Sequence, residues 1–553
     1  MSSGDDDGDV IHAPSADDGR LAESALALSP TIRVGTTEQI SDDDGGFGYL
    51  APRRRLARTA PVVIYLARRL LSSVITLLGT SVIAWLLYAV VMGSVWWYSI
   101  TPYHVWLGEV FRGEMGYGTG WYFHIPLAQT IAAAVPYTLR LVVSAGVLAL
   151  ISGAAIGCLT ALRQKSRFDT GMLVLNFVCM SIPAFALALI LRFWGAVALN
   201  DFITNPALPR IWLVGLTVLS GGIWLSIIGG DTKRRWITFA VAALITFGTL
   251  IVITSTDFLL RPSLGYLGIA LLGGGVAFGV VALTTHRITW HAAKAPLIAA
   301  AIGVALRFPL QWVFRPFQTD WPLLLALAGT AIIGGIAIGW LAGGAYRRTA
   351  MSTSALTAVA TGLFVVIDRG LAVWPYYLAL PWVNYRPIPT FNLSRPGIPD
   401  DFWFQATDYL LHWSRPILVL ALGSFAIYAT YARASMIEVL NQDYVRTARA
   451  KGLPEHIVVV RHALRNALLP ITTIAPTDIA GLFVGAIIIE PLFQIPGVGA
   501  IFRDSFVLGE WYWQVQLHPY MAVVMLCGVL VVATSFAVDI LYALLDPRIR
   551  VAE

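Results

Sequence analysis

The sequence predicts an all-α polytopic membrane protein. Hydrophobic residues make up 57% of the 553 residues and charged residues 13%, against roughly 45–50% and about 25% in soluble domains. Many apolar runs reach the roughly 20 residues that a helix needs to cross a hydrocarbon layer of about 30 Å. Basic clusters recur between these runs. Such a chain has too little polar surface to cover a water-soluble core, so its natural solvent is lipid.

Apolar runs between polar or proline-rich breaks predict about twelve spanning helices. If the N-terminus is cytosolic, every second loop is basic, including 163–167, 233–235 and 433–465, as expected for loops that stay inside. Removing one helix would place 233–235 on the outer side, so an even number of helices is favoured. We therefore predict a multi-pass protein of the cell membrane with both termini in the cytosol. The predicted helices are 65–93, 136–162, 170–197, 211–229, 236–254, 264–284, 295–312, 322–344, 354–373, 415–436, 467–490 and 520–545.

The first 60 residues differ in composition from the rest of the chain. They are rich in Asp, Ser and Gly, with Asp triplets at 5–7 and 42–44. No apolar stretch follows a basic one there, which argues against a signal peptide. We predict that residues 1–60 form a disordered, acidic cytosolic tail.

Several function classes find no support in the sequence. The net charge of +6 is explained by the basic loops, and no nucleic-acid-binding motif accompanies it, so no nucleic-acid partner is predicted. The four lysines (Lys165, Lys233, Lys294 and Lys451) do not stand in a Gly-Lys-Ser/Thr context, so no phosphate-binding loop for ATP is predicted. We expect no cofactor on this chain.

Metal and disulfide chemistry are also not predicted. The three cysteines, Cys158, Cys179 and Cys527, sit in apolar runs and are interpreted as small packing residues. The histidines of the predicted outer loops contain no closely spaced pair of the kind that binds a metal ion. They are His104, His124, His412 and His518.

One cytosolic segment predicts a short helix between two spanning helices. Residues 442–451 contain no Gly or Pro, Gly452 can adopt the left-handed conformation that ends a helix, and Pro454 prevents its continuation. Ala448 and its small neighbours would let another protein approach closely. The residues that offer charge are Asp443, Arg446, Arg449 and Lys451. From the residues alone, a lever moved by a soluble motor and a basic loop that only sets topology remain equally open.

This segment resembles the coupling helix of binding-protein-dependent ABC permeases. More narrowly, it is similar to the dipeptide, oligopeptide and nickel family, in the branch of the first permease subunit of peptide importers. Arg446-Thr447-Ala448 replaces the Glu-Ala-Ala of the general motif, and the interval to Leu469-Pro470 is longer; both departures are typical of the peptide branch. The resemblance implies that ATPase coupling uses Asp443, Tyr444, Arg446, Thr447, Ala448, Arg449, Ala450, Lys451 and Gly452.

Other motifs of this family follow in chain order, over roughly 61–199 and 400–550. Pro183 lies in the predicted third helix, where a proline kinks a span. The remaining motif positions are Leu469, Pro470, Glu490, Pro496, Gly497, Asp539, Asp546, Pro547 and Arg548.

The resemblance implies a type I ABC importer permease with a core of about six transmembrane helices. Residues 61–199 would supply helices 1–3 with the first outer loop, and 376–553 would supply helices 4–6 with the coupling helix. Implied partners are a second homologous permease, two ATPase subunits carrying ATP and Mg, an extracellular substrate-binding protein and membrane lipid. The chain itself would be no enzyme. Its implied function is import of di- or oligopeptides by alternating access.

Residues 200–375 depart from the family by about six additional helices. We identify no charged pair at membrane depth there, which argues against a second transport pathway. A peripheral scaffold is favoured, with a regulatory or partner-binding role as the alternative. Within the core, Asp478, Glu490 and Asp539 either line the pathway or hold the subunit interface, or they bond to neighbours near helix ends. The last interpretation is favoured for Glu490 and Asp539.

Three alternatives remain open. The substrate would be nickel or another solute if the family's other branches apply. A membrane-embedded enzyme would need clustered carboxylates at the interface, where Asp400-Asp401 is the only predicted outer pair. A membrane scaffold without transport activity would follow if the coupling segment is inert.

Overall fold

The computed structural model describes residues 60–545 except 97–100, 115, 118–124, 229, 285–288, 315–318, 391–393 and 509–512. The tail predicted for 1–60 therefore lies outside the described residues but for Ala60, as do Asp546, Pro547 and Arg548. Asp539 lies in the last helix, and its side chain is not described.

Twelve of the described helices are long and apolar enough to cross a membrane, which confirms the predicted number and an all-α multi-pass membrane protein. The first section contains α1 (Ala60–Trp96), α2 (Tyr103–Phe111), α3 (Leu127–Leu162), α4 (Arg167–Ser181), α5 (Ala184–Arg192), a π-helical turn (Phe193–Ala198) and α6 (Leu199–Thr204). The middle section contains α7 (Arg210–Ile228), α8 (Thr232–Ser255), α9 (Gly265–Thr284), α10 (Trp290–Val313), α11 (Trp321–Ala342) and α12 (Arg347–Leu378).

The last section begins with the longest of the described helices. Its elements are α13 (Phe402–Leu440), α14 (Asp443–Ala450), α15 (Glu455–Ile457), a π-helical turn (Val458–Ala463), α16 (Leu464–Ala467), α17 (Leu469–Phe493), α18 (Val498–Asp504), β1 (Phe506–Leu508), β2 (Trp513–Val515) and α19 (Leu517–Leu545). The two short strands pair antiparallel, with Phe506 opposite Val515.

The third predicted helix is not continuous. The prediction of one helix over 170–197 is wrong, because α4 ends at Ser181 and the third span runs from Ala184 to Thr204. Pro183 has φ −58° and ψ 139°, an extended conformation, and it has no N–H to continue the ladder of α4. The proline therefore separates two helices and opens the second.

Two other helices start earlier than predicted, and each carries a proline inside. Helix α3 begins at Leu127 and contains Pro136, and α13 begins at Phe402 and contains Pro416. The predicted starts at 136 and 415 are wrong because neighbouring helices and local adjustment satisfy the carbonyl that a proline frees within a membrane helix. Asp401 caps α13 by accepting from the N–H groups of Trp403 (2.9 Å) and Phe404 (3.4 Å).

Close packing of α3 against α13 forms the centre of the largest hydrophobic cluster. A Cβ at Gly153 would lie 2.8 Å from the carbonyl oxygen of Phe425, and one at Gly157 would overlap the backbone of Ala429. Association of helices in lipid depends on such close packing of small residues, because apolar side chains gain nothing by leaving lipid for protein. Any side chain at either glycine would force the two helices apart.

A buried ion pair fastens the middle section together. Arg307 of α10 lies 2.7 Å from Asp368 of α12, with only 17% and 9% of their side chains exposed. The other oxygen of Asp368 accepts from the backbone N–H groups of Leu264 and Gly265 (2.9 and 3.1 Å) at the start of α9. Arg307 lies six residues, or about 9 Å, inside the end of its helix. Because Asp368 bonds to the first residues of α9, the pair lies level with the start of that span, and the prediction of no charged pair at membrane depth stays a prediction.

Candidate functional site

The predicted cytosolic helix forms as α14. It begins at Asp443 and ends at Ala450, within the predicted 442–451. Gly452 follows with φ +74°, the left-handed conformation that glycine adopts without steric cost. Helix α15 then starts after Pro454. The local sequence thus fixes the C-terminal end of this short helix.

The inward face of α14 packs against its own chain. Val445 is 0% and Ala448 6% exposed, and both contact Val458 of the π-helical turn. Positions three apart lie on one side of a helix. The prediction that Ala448 admits a neighbouring protein is wrong, since this methyl group belongs to the contact that holds α14 to the bundle.

The opposite side of α14 is exposed, and we name it the docking face. Its members are Asp443, Arg446, Thr447, Ala450 and Lys451. Asp443 and Arg446 are 3.8 Å apart and mostly exposed, a pair that contributes little to stability. The face is therefore free to meet another protein, with small residues at its centre and charge at its edges.

Two other predicted coupling residues brace α14 from the sides. The Tyr444 hydroxyl accepts from Nδ2 of Asn466 (2.8 Å). Arg449 donates to both carboxylate oxygens of Glu455 (3.1 and 2.6 Å), and these hydrogen bonds hold the pKa of Glu455 below its usual range. Tyr444 and Arg449 therefore fix the position of α14 relative to the segment that leads to α17.

An ion pair that the sequence did not reveal joins the end of α13 to the start of α4. Arg433 donates through Nε and Nη2 to the two oxygens of Asp169 (2.7 and 2.8 Å). Ser166 caps α4 by accepting from the N–H of Asp169 (3.1 Å). The two charges are 264 residues apart in the sequence, so neither local pattern identifies the other. The pair couples the helix that carries α14 to α4, the helix that precedes the third span.

The Arg433–Asp169 pair predicts a pH dependence of stability. Hydrogen bonds from Arg433 and from the backbone N–H of Lys165 lower the pKa of Asp169. A lowered folded-state pKa contributes stability that is present above the ordinary value of about 3.9 and is lost as the pH falls through the folded value. We expect Arg433→Gln to lower the thermal stability of the purified protein most at neutral pH, and the difference from wild type to shrink toward pH 3. A difference that stays constant from pH 7 to 3 would contradict this assignment, and Arg386→Gln in an exposed pair is the control.

The Leu469-Pro470 motif starts α17. Pro470 lies in the first turn, where its missing N–H is not needed and its fixed φ suits the helix. Both side chains are exposed. This motif therefore defines where the segment that carries α14 ends and the next span begins.

Glu490 forms a buried structural contact near the other end of α17. Its Oε2 accepts from the N–H of Gly499 (2.6 Å), and Gly497 lies against the carboxyl group, leaving no room for a side chain. The N–H of Val498 donates to Thr138 of α3 (3.0 Å). The predicted hydrogen bonding of Glu490 to neighbours is confirmed. Pro496 is half-buried beside this contact, which holds α18 against α17 and α3.

Asp478 differs from Glu490 in its surroundings. It lies in the middle of α17, half-buried and beside Tyr428 of α13, and its Oδ2, like Oε1 of Glu490, has no hydrogen-bond partner among the described residues. A carboxylate at this depth is costly to maintain without a function. Asp478 thus stays open as a pathway residue.

Two of the four predicted outer histidines lie in helices with neighbours of their own. His412 is buried within α13, and His518 in α19 lies 2.9 Å from Glu109. His104 lies in α2, and His124 lies outside the described residues. Within the described part of the chain, no group of three or more His, Cys, Asp or Glu residues is arranged to hold a metal ion.

Residues 335–551 match the family model of the binding-protein-dependent transport system inner membrane component. A putative peptide permease protein of Brucella ovis is 37% identical over 239 residues, which are 41% of this chain and 68% of the relative. The dipeptide transport system permease protein DppB of Bacillus subtilis is 32% identical over 46% of this chain and 76% of its own length. The oligopeptide transport system permease protein OppB of Mycobacterium bovis is 33% identical over 40% of this chain and 66% of its own length.

The residues that match the family model include α13, α14 and α17. Two of these relatives are covered over more than two thirds of their length at over 30% identity. The chain therefore belongs to the binding-protein-dependent transport system inner membrane component family.

Proposed function

We propose that this chain is the permease subunit of an ATP-binding-cassette importer that moves di- or oligopeptides across the cell membrane. The observation that carries the proposal is α14, a braced helix with an exposed docking face at the end of a long spanning helix. The relatives named as peptide, dipeptide and oligopeptide permeases support peptides as the cargo. They favour peptides over nickel, and a permease over a scaffold.

The arrangement of α14 supports a mechanism in which separate subunits hydrolyse ATP. Two ATPase subunits, one of them on the docking face, would move α14 as ATP brings them together. Val445 and Ala448 pass this motion to the bundle, and the Arg433–Asp169 pair passes it to α4. The cavity would then alternate between inward and outward states, biased by nucleotide binding. A second homologous permease and an extracellular binding protein complete the proposed assembly.

The orientation and the middle section are part of the same proposal. The docking face must be cytosolic to meet ATP, which places both termini in the cytosol because twelve spans separate them. Residues 200–375 are proposed as a peripheral scaffold. The Arg307–Asp368 pair supports this assignment, since its contacts are made with α9, α10 and α12 of the same section.

Co-purification of the tagged chain from its native membrane tests the proposal. We expect wild type to retain an ATPase partner and to support uptake of labelled tripeptide in proteoliposomes that contain the purified assembly. Gly452→Pro should lose both activities, because proline cannot adopt the positive φ at the end of α14. Absence of an ATPase partner together with wild-type behaviour of the variant would contradict the coupling assignment. Uptake of nickel but not of tripeptide would contradict the proposed substrate class.

A further inference from the structure

A cavity at the end of the bundle opposite α14 has the features of a small-molecule site. Its volume is about 400 Å³, within the range typical of ligand pockets. His412 lies 28 residues before the end of α13, about 42 Å from α14 along this helix. The cavity therefore lies on the other side of the membrane from the docking face.

The walls of the cavity combine apolar surface with a few polar groups. Asn200 of α6 anchors the loop that follows α12, because its amide exchanges two hydrogen bonds with the backbone of Ile388 (2.8 and 2.9 Å). Asp408 holds the same loop from α13, accepting from the hydroxyl of Tyr377 (2.7 Å) and the N–H of Arg395 (3.2 Å). The apolar part of the lining consists of Val197, Trp382, Val383, Ile388, Pro389 and Pro396.

Unpartnered arginine donors lie in and beside this cavity: Arg395 lines it, and Arg415 follows the lining residue His412 by one turn of α13. Arg415 is buried, with 5% of its surface exposed, and its Nε and Nη1 have no hydrogen-bond partner among the described residues. Its Nη2 donates to the carbonyl of Leu411, four residues earlier in α13 (2.9 Å). The guanidinium therefore points back along the helix toward His412. His412 lines the cavity and is 5% exposed; its Nδ1 donates to the carbonyl of Asp408 (2.7 Å), so the unpartnered Nε2 of the neutral ring is an acceptor. Nη1 of Arg395 is the third arginine donor without a partner among the described residues.

The charges around the cavity do not balance within the described residues. Arg386 is paired with Asp201 (3.0 Å), and Asp408 offsets one of the two remaining arginines, Arg395 and Arg415. One positive charge remains if His412 is neutral. A guanidinium stays protonated at physiological pH, and a buried charge without a counterion is strongly unfavourable. A monovalent anion would supply the missing charge and accept from the free donors.

We propose that this cavity binds a ligand with one carboxylate and a short apolar side chain. Arg415 and Arg395 would hold the carboxylate, and the wall around Trp382 and Ile388 would contact the apolar group. A carboxylate matches the single excess charge, and hydrogen bonds between ionised groups are the strong ones. The C-terminal residue of a peptide and a free aliphatic acid share this chemistry. That the ligand is a peptide C-terminus rests on the proposed function, whereas the carboxylate site itself does not.

Binding to the purified full-length chain in nanodiscs tests the proposal, with sodium chloride at matched ionic strength as background. The probes are Ala-Ala-Leu with a free C-terminus, the same peptide amidated, 4-methylpentanoate and 4-methylpentanamide. We expect at least one of the two acids to bind and both amides to bind at least ten-fold more weakly. Tighter binding of the free peptide identifies a peptide C-terminus, and tighter binding of 4-methylpentanoate identifies a free acid.

Two variants and one control locate the site. Arg415→Gln should weaken binding of the acid at least ten-fold, and Arg395→Gln, outside any helix, carries the same test if the first variant does not fold. Arg210→Gln removes an exposed arginine at the start of α7, on the same side of the membrane but outside the cavity lining, and should change affinity less than two-fold. Equal binding of acids and amides, no binding of either acid, or unchanged affinity in a folded Arg415→Gln or Arg395→Gln variant would overturn the proposal. None of these measurements requires ATP, so they are independent of the outcome of the uptake assay.

Discussion

Thr447→Trp is expected to abolish retention of the ATPase partner while leaving the permease folded. Thr447 is exposed at the centre of the docking face, and its hydroxyl bonds only within α14, to the carbonyl of Asp443 (2.9 Å). An indole there would separate two surfaces that must approach closely, whereas Val445 and Ala448 on the opposite side remain in place. We expect at least a ten-fold loss of ATPase affinity, or about 1.4 kcal/mol. Co-purification and peptide uptake per folded molecule measure it.

Thr232→Trp provides the matched control. Thr232 is also an exposed helical threonine, at the start of α8, and the number of spans places it on the same side of the membrane as α14. This variant should retain the ATPase and transport at the wild-type level. Equal retention in both variants would mean that α14 does not receive the ATPase. Loss of monodisperse protein in Thr447→Trp would instead show that the docking face is buried against its own chain.

Asp368→Ala is expected to be the most destabilising single substitution in the middle section. It leaves Arg307 buried without its carboxylate and removes the acceptor for the first N–H groups of α9. Breaking a buried ion pair by removing one partner costs roughly 3–5 kcal/mol. The thermal inactivation temperature and the half-life of the purified protein in detergent should both fall clearly. If the section is a scaffold, uptake per surviving molecule should be unchanged.

Asp201→Ala is the control for this variant, because it breaks the Arg386–Asp201 pair in which both side chains are more than half exposed. Exposed pairs contribute about 0–1 kcal/mol, so its stability should stay close to wild type. A stable Asp368→Ala protein with reduced uptake would contradict the scaffold assignment and place Asp368 in the transport pathway.

The sequence by itself determined that the chain folds in lipid, how many spans it has, and where the short helix of the docking face lies. Each depends on residues that are neighbours in the chain: runs of about 20 apolar residues, basic clusters between them, and Gly452 with Pro454 beyond the last turn of α14. The family motifs likewise lie within short segments. Local sequence carries these features because helix formation satisfies backbone hydrogen bonds within each segment.

Only the tertiary structure decided which side chains meet. Arg433 finds Asp169 across 264 residues, and Arg307 finds Asp368 across 61. Ala448, which the sequence placed toward a partner, faces its own chain because the period of the helix brings it beside Val445. The starts predicted for α3 and α13, at 136 and 415, are wrong because a spanning helix tolerates Pro136 or Pro416 wherever neighbouring helices compensate for the missing hydrogen bond. Ion pairs and packing faces depend on the approach of distant segments, and a linear pattern does not encode that distance.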